Sequence, residues 1–244
     1  MTQILLSAGL CFGHSAADET LPKDMDLYLL IGQSNMAGRA QITEAEQRPL
    51  DGVYLFDGQG GWVEASNPLN RFSPVHKGMH KQRLGPGYSF AKALRNESPD
   101  RSIGLIVHAR GGSKIEQWTR GSRCYDSALK RAKAAQNAGT LKGILWHQGE
   151  DNRDDPEYLP KLEKLVQQLR EDLKQPELPF VAGQISKAPG INAQIAQLPE
   201  KQPHCAVVSA EGLSTADKVH FDTPSALLLG ERFATAMQQL APAP

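Results

Sequence analysis

The feature that most constrains the fold is a rhythm. Short apolar runs at residues 26–31, 102–108, 142–147, 179–185 and 205–209 alternate with longer stretches whose apolar residues recur at helical spacing. A run that is apolar throughout, such as DLYLLI before Gly32, has no polar face to offer water and reads as a strand buried on both sides. The stretches between them predict helices over 88–96, 125–137 and 157–173, the last placing Leu162, Leu165, Val166, Leu169 and Leu173 on one face. A final helix is expected to begin with Thr223 as N-cap and Pro224 at its first position, and Ala226, Gly230, Phe233, Met237 and Leu240 repeat along one side. Strands of this kind separated by amphipathic helices predict an α/β chain: a three-layer doubly wound fold around a five-stranded parallel sheet. Residues 53–65 interrupt the rhythm and predict a β-hairpin around Gly58, Gly60 and Gly61.

A chain of 244 residues with 40% hydrophobic and 22% charged composition suits one domain with one sizeable core, expected over 18–244. Residues 4–12 form a short apolar run, and Ser15 and Ala17 stand where a signal peptidase reads small residues, so 1–17 is expected to be a signal peptide. Export to a secreted or periplasmic location follows as an expectation, with a cytoplasmic protein carrying a loosely packed N-terminal extension as the alternative, because no Lys or Arg occurs before Lys23. Lys plus Arg and Asp plus Glu both total 27, so no net field draws in nucleic acid or an anionic membrane as a whole. Later in the chain no run approaches the roughly 18 to 20 apolar residues that a spanning helix needs. Of the three cysteines, Cys11 would leave with the signal peptide, and Cys124 and Cys205 either pair or are buried as thiols.

The chemistry collects where the strands end. The first runs into Gly32-Gln33-Ser34-Asn35-Met36-Ala37-Gly38, the second into Arg110-Gly111-Gly112-Ser113, the third into His147-Gln148-Gly149-Glu150, and the fifth leads on to Asp217-Lys218-Val219-His220. In a parallel sheet these ends share one edge, the edge where ligands bind. A serine directly after a buried strand is presented at that edge, and it becomes a nucleophile when a base is held beside it. Taken alone, Gly-x-Ser is as well explained by a serine capping a helix. The pair Asp217 and His220 changes the balance, because on a turn a carboxylate three residues before a histidine reaches Nδ1 and leaves Nε2 for a nucleophile.

Together these four blocks, with Trp118, resemble those of the SGNH-hydrolase branch that contains sialate O-acetylesterases and a group of acetylxylan esterases. The resemblance spans residues 26–240, and the pairing of GQSNMAG with HQGE is specific. It implies an SGNH, flavodoxin-like fold and a serine esterase that removes acetyl groups from carbohydrates, with no cofactor. It implies Ser34 as nucleophile, His220 as base and then acid, and Asp217 as the orienting carboxylate. It further implies an oxyanion hole made by the Ser34 N–H, a glycine N–H from Gly111 or Gly112, with Gly112 favoured, and the Gln148 side-chain amide. The general SGNH pattern has Asn where this chain has Gln148, and either amide can donate.

Gln33, Asn35, Gly111, Glu150 and Arg110 are expected around this centre as supports or substrate contacts. Arg39, Arg110, Trp118 and Arg153 are candidates for lining a sugar subsite, with ordinary packing as the equal alternative. Tyr88 is a further candidate, at the opening of a helix after a glycine-rich turn. His147 reads as a satisfied buried histidine, and His147-x-x-Glu150 beside Asp217-x-x-His220 matches no established zinc spacing, so no metal is expected. The expected partner is an acetylated carbohydrate. Two rivals remain open at this point: a hydrolase of other short-chain esters or thioesters, and a carbohydrate-binding relative without catalysis.

Overall fold

A computed structural model describes residues 23–240. The expected signal peptide at 1–17 and the Ala-Pro tail lie outside the described residues. The strands are β1 (Met25–Gly32), β2 (Leu50–Phe56), β3 (Trp62–Ala65), β4 (Ile103–Ala109), β5 (Gly139–His147), β6 (Phe180–Gly183) and β7 (Cys205–Val208). The helices are α1 (Ser34–Ala37), α2 (Glu44–Gln47), α3 (Gly87–Glu97), α4 (Arg123–Ala135), α5 (Tyr158–Leu173), α6 (Pro189–Ala196), α7 (Leu198–Lys201) and α8 (Thr223–Leu240).

The sheet has seven strands in the order β3-β2-β4-β1-β5-β6-β7, against the five expected. The two additional strands are the expected hairpin. It does not stand apart: Val53, Tyr54 and Leu55 pair in parallel with Ile103, Gly104 and Leu105, and β3 closes that edge antiparallel to β2. The other neighbouring pairs are parallel.

Strand β1 shows why the sheet needs two covers. Leu27, Leu29 and Ile31 point into a core shared with Tyr125 and Ala128 of α4, Leu162, Leu165 and Val166 of α5, and Ile191 of α6. Tyr28 and Leu30, one residue out of step, point to the opposite face and meet Phe90, Ala91 and Leu94 of α3 and Leu229, Phe233 and Met237 of α8. The period of two along a strand sends alternate side chains to opposite faces, so a run that is apolar at every position requires helices on both. Each such side chain that is fully buried contributes about 1.5–3 kcal/mol.

Three of the helices lie within a residue or two of the expected bounds. The start of α8 differs: Asp222 is the cap, its Oδ1 accepting the Ser225 N–H at 2.9 Å and its carbonyl accepting the Ala226 N–H at 2.9 Å. Thr223 is therefore the first helical residue and Pro224 the second. Both positions tolerate the missing proline N–H, which has no intrahelical partner in the first turn. Cys124 and Cys205 are both buried as free thiols. Among the described residues no helix is long and apolar enough to cross a membrane.

The chain leaves β1 toward β2 and β3 on one side, returns to β4 beside β1, and then crosses to β5, β6 and β7 on the other. The carboxyl end of β1 is thus the switch point, flanked by the ends of β4 and β5, where a doubly wound sheet opens a crevice.

Candidate active site

Backbone hydrogen bonds sew the first three blocks together. The Gln33 N–H donates to His147 O at 2.9 Å, and the Arg110 N–H donates to Gly32 O at 2.9 Å. Gly32 has φ +139°, and a Cβ there would stand 2.1 Å from His147 O, so only glycine lets β1 end this close to β5. Ser34 follows at once as the first residue of α1.

The fourth block arrives on a tight hairpin over residues 214–222. Thr215 and Phe221 form an antiparallel bridge, and the Ala216 N–H donates to His220 O at 2.9 Å. Its tip holds Asp217 and His220 against each other, with His220 Nδ1 2.6 Å from Asp217 Oδ2. The carboxylate is an acceptor only, so Nδ1 carries the proton and Nε2 has the free lone pair. Nε2 lies 3.0 Å from Ser34 Oγ, placing three residues separated by as much as 186 positions in one line. Burial pushes the Asp217 carboxyl up, but the N–H groups of His220 and Val219 and the His220 ring together bring it down to about 2.

Asn35 joins the two halves of the site. Its Nδ2 donates to Val219 O at 3.0 Å and to Glu150 Oε1 at 2.6 Å, and its Oδ1 accepts the Phe221 N–H at 3.1 Å. One side chain thus grips the backbone on both sides of His220. Glu150 is its anchor. His147 is fully buried, its Nε2 lies 3.1 Å from Gln184 O, and burial lowers its pKa, as befits a neutral structural histidine.

The expected donation from Gln148 to an oxyanion does not fit this geometry. The side chain is fully buried and its Nε2 is turned inward, 3.0 Å from Gln33 Oε1, 3.0 Å from Ser113 O and 2.9 Å from Asn152 Oδ1. An amide nitrogen has two hydrogens, and three internal acceptors already compete for them. Ser113 O can only accept, which fixes which end of the amide is which, and the Tyr158 hydroxyl lies 2.9 Å from Oε1 and 2.8 Å from the Gln148 backbone oxygen. Gln148 therefore ties the floor of the site together. The backbone N–H groups of Ser34, Gly111 and Gly112 have no acceptor among the described residues, and Gly112 turns at φ +63°.

The remaining candidates separate. Trp118 is buried, donates from Nε1 to Ser113 Oγ at 3.0 Å and packs edge-on against Trp146, so it is core and no sugar platform. Tyr88 is buried beside α2 with its hydroxyl donating to Ala45 O at 3.2 Å. Arg153 braces the loop after β6 through Lys187 O at 2.6 Å, and Arg110 reaches Val75 O at 3.4 Å. Arg39 packs beside Gly111, next to Ser34. Its Nη2 stands 2.5 Å from where a Gly111 Cβ would lie, and Ser34 Cβ is 3.7 Å from the same point. Sequence reasoning does not single out Asn152 or Tyr158. Asn152 lies two positions beyond the HQGE block, and Tyr158 opens α5, where an aromatic reads as packing.

Residues 24–239 match the family model described as carbohydrate esterase, sialic acid-specific acetylesterase. The chain belongs to this family. A probable carbohydrate esterase of Arabidopsis thaliana is 32% identical over 234 residues, covering 86% of this chain and 89% of the relative. A solved Arabidopsis thaliana structure superposes with a TM-score of 0.80 at 30% identity, covering 89% of this chain and 99% of the other. The structure of NanS, at 16% identity, has a TM-score of 0.73 over 90% of this chain and 98% of its own, and shows the shared fold. The chain is thus a carbohydrate esterase family member built on the SGNH-type α/β fold, and the hydrogen-bonded line from Ser34 to Asp217 sits at its switch point.

Proposed function

We propose that the protein is a serine carbohydrate O-acetylesterase working through an acetyl-enzyme. The observation that carries this reading is the line Ser34 Oγ, His220 Nε2, His220 Nδ1, Asp217 Oδ2, with separations of 3.0 and 2.6 Å between residues. Ser34 Oγ attacks the acetyl carbonyl carbon while His220 Nε2 takes its proton, and Asp217 holds the imidazole and balances the charge it gains. The carbonyl oxygen becomes negative and is met by the N–H groups of Ser34 and Gly112. His220 then returns the proton to the sugar oxygen, which leaves, and water activated by the same base releases acetate from Ser34.

The substrate is an acetylated sugar of the acetylxylan or sialate type. The test is acetate release from a panel of acetylated glycans, with a short aryl acetate as reference. Turnover is expected in the wild type and loss to background in Ser34→Ala, with an unchanged circular dichroism spectrum. Full activity in folded Ser34→Ala would sink the serine mechanism. Equal kcat/KM for acetyl and octanoyl esters would point instead to a general lipase-like hydrolase.

A further inference from the structure

Past Gly112 the chain leaves the sheet and is held by side chains. Ser113 O accepts the Gln148 amide at 3.0 Å, and Ser113 Oγ accepts the Trp118 ring N–H at 3.0 Å. Two residues on, the Ile115 N–H donates to Asn152 Oδ1 at 2.9 Å, and the same oxygen accepts Gln148 Nε2 at 2.9 Å. Asn152 is buried, so one side-chain oxygen joins the glycine loop to the floor of the site. Gly112 turns at φ +63° immediately before this, and the direction of its N–H follows from where Ser113 and Ile115 are pinned.

What fixes Asn152 lies outside the site. Its Nδ2 donates to Glu116 Oε2 and to Asp155 Oδ2, both at 3.1 Å. A carboxylate only accepts, so two of them on one side settle that the nitrogen faces them and the oxygen faces Ile115 and Gln148. Lys161 of α5 closes the arrangement, donating to Glu116 Oε1 at 2.6 Å and to Asp155 Oδ2 at 2.7 Å. One ammonium thus sits between two carboxylates that would otherwise repel each other, and its hydrogen bond holds the Asp155 carboxyl below the ordinary range. A hydrogen-bonded path runs from the surface of α5 to the loop that carries Gly112.

We propose that Asn152, set by the clamp of Glu116, Lys161 and Asp155, is the positioning residue that aims the Gly112 N–H at the acetyl oxygen. This rests on the acetylesterase reading of the Ser34 centre, and Asn152 acts on the reaction only through Ile115 and Gln148. Because that oxygen becomes negative only at the tetrahedral stage, a misaimed donor costs the transition state more than the bound substrate.

The experiment measures kcat and KM for a short aryl acetate and an acetylated glycan. Asn152→Asp keeps an oxygen for Ile115 but sets another carboxylate oxygen against Glu116 and Asp155. A loss of kcat on the order of 10²-fold is expected, equal on both substrates and with KM within about twofold, as for a misplacement of about 1 Å. Lys161→Met changes a side chain at the surface, and it should lower kcat by about threefold or more at low salt as the two carboxylates push apart. Sodium chloride should recover much of that loss by screening the repulsion, and Lys161→Arg, which keeps the charge, should restore most of the kcat lost in Lys161→Met. A kcat within about twofold of wild type in both Asn152→Asp and Lys161→Met overturns the proposal and leaves the Ser34 mechanism standing. A rise in KM for the glycan alone also overturns it, because Asn152 would then shape the sugar site. A loss in Lys161→Met that neither salt nor arginine repairs reduces the clamp to ordinary packing and overturns it as well. If Asn152→Asp does not fold, Lys161→Met decides. If the wild type leaves both esters intact, the esterase reading itself is wrong and this role falls with it.

Discussion

Asp217 uses its two oxygens for different tasks. Oδ2 takes the Nδ1–H of His220, while Oδ1 accepts the N–H groups of Val219 at 2.8 Å and His220 at 2.7 Å. In Asp217→Asn the amide oxygen can keep both backbone bonds, which leaves the NH2 facing Nδ1. Nδ1 must then accept, the ring proton moves to Nε2, and the Ser34 proton has nowhere to go. A loss of kcat on the order of 10²- to 10⁴-fold is expected, with little change in thermal unfolding. Because the folded-state pKa is about 2, below the ordinary value of about 3.9, the contribution of this carboxylate is complete above the ordinary value and lost only as pH falls through about 2. The acid limb of a pH–rate profile above about pH 4 should therefore not be that of Asp217. A limb with carboxylate behaviour in that range would contradict the assignment. Gln148 gives the opposite kind of prediction. Gln148→Ala strands Ser113 O in a buried region, at about 1–3 kcal/mol for the group left unpaired, and leaves a cavity where the amide had tied Gln33 and Asn152 together. Thermal unfolding should shift down by several degrees or more; a loss of kcat with an unchanged Tm would restore Gln148 to the oxyanion. The residues of the line are legible in the sequence because strand-end placement and a spacing of three survive without knowledge of rotamers. The direction of the Gln148 amide is not, because it is decided by Ser113 O with Gln33 and Asn152 beside it, which no local pattern connects to it.

At the scale of elements, the question is what keeps a short hairpin in register with a strand end on the far side of the sequence. Asn35 does so with bonds to Val219 O, Phe221 N and Glu150. Its removal in Asn35→Ala leaves Glu150 without its anchor contact and the backbone around His220 free to drift. Since misplacement by about 1 Å can cost on the order of 10²-fold, kcat should fall by about that factor while KM changes little. Amide hydrogen exchange at Val219 and Phe221 should quicken relative to the strands. Unchanged exchange there with a reduced kcat would move the role of Asn35 from holding the hairpin to the chemistry itself. The hairpin β2–β3 shows the limit of periodicity: its alternation and glycines predict two strands, but not that Val53 and Leu55 find β4 and lengthen the sheet. That pairing depends on a partner some fifty residues away, which local pattern does not encode. Helix α6 escapes the sequence reading between β6 and β7 because it is only eight residues long and opens on a proline and a glycine, which read as a turn.

The whole molecule has two ends of different character. All four blocks gather at the carboxyl ends of the strands, yet a broad cavity opens at the opposite end, lined by Tyr28, Leu94, Thr140, Leu178 and Gln238 among others. Pocket size alone would place a ligand there. The chemistry argues otherwise, because that cavity contains no nucleophile held by a base, and doubly wound sheets bind at their carboxyl edge. Gln238 is exposed on α8 at the cavity rim, so Gln238→Trp can fill the space without disturbing the core on which α8 packs. If the cavity is only a gap between α3, α8 and the strand starts, the variant should keep kcat/KM for both an aryl acetate and an acetylated glycan within about twofold, as expected of a surface change far from the site. A large rise in KM for the glycan alone, in a protein that still unfolds cooperatively, would mean that the sugar chain reaches around to this end. The proposed reaction centre would stay at Ser34 in that case, and the substrate would have to be long enough to span the sheet.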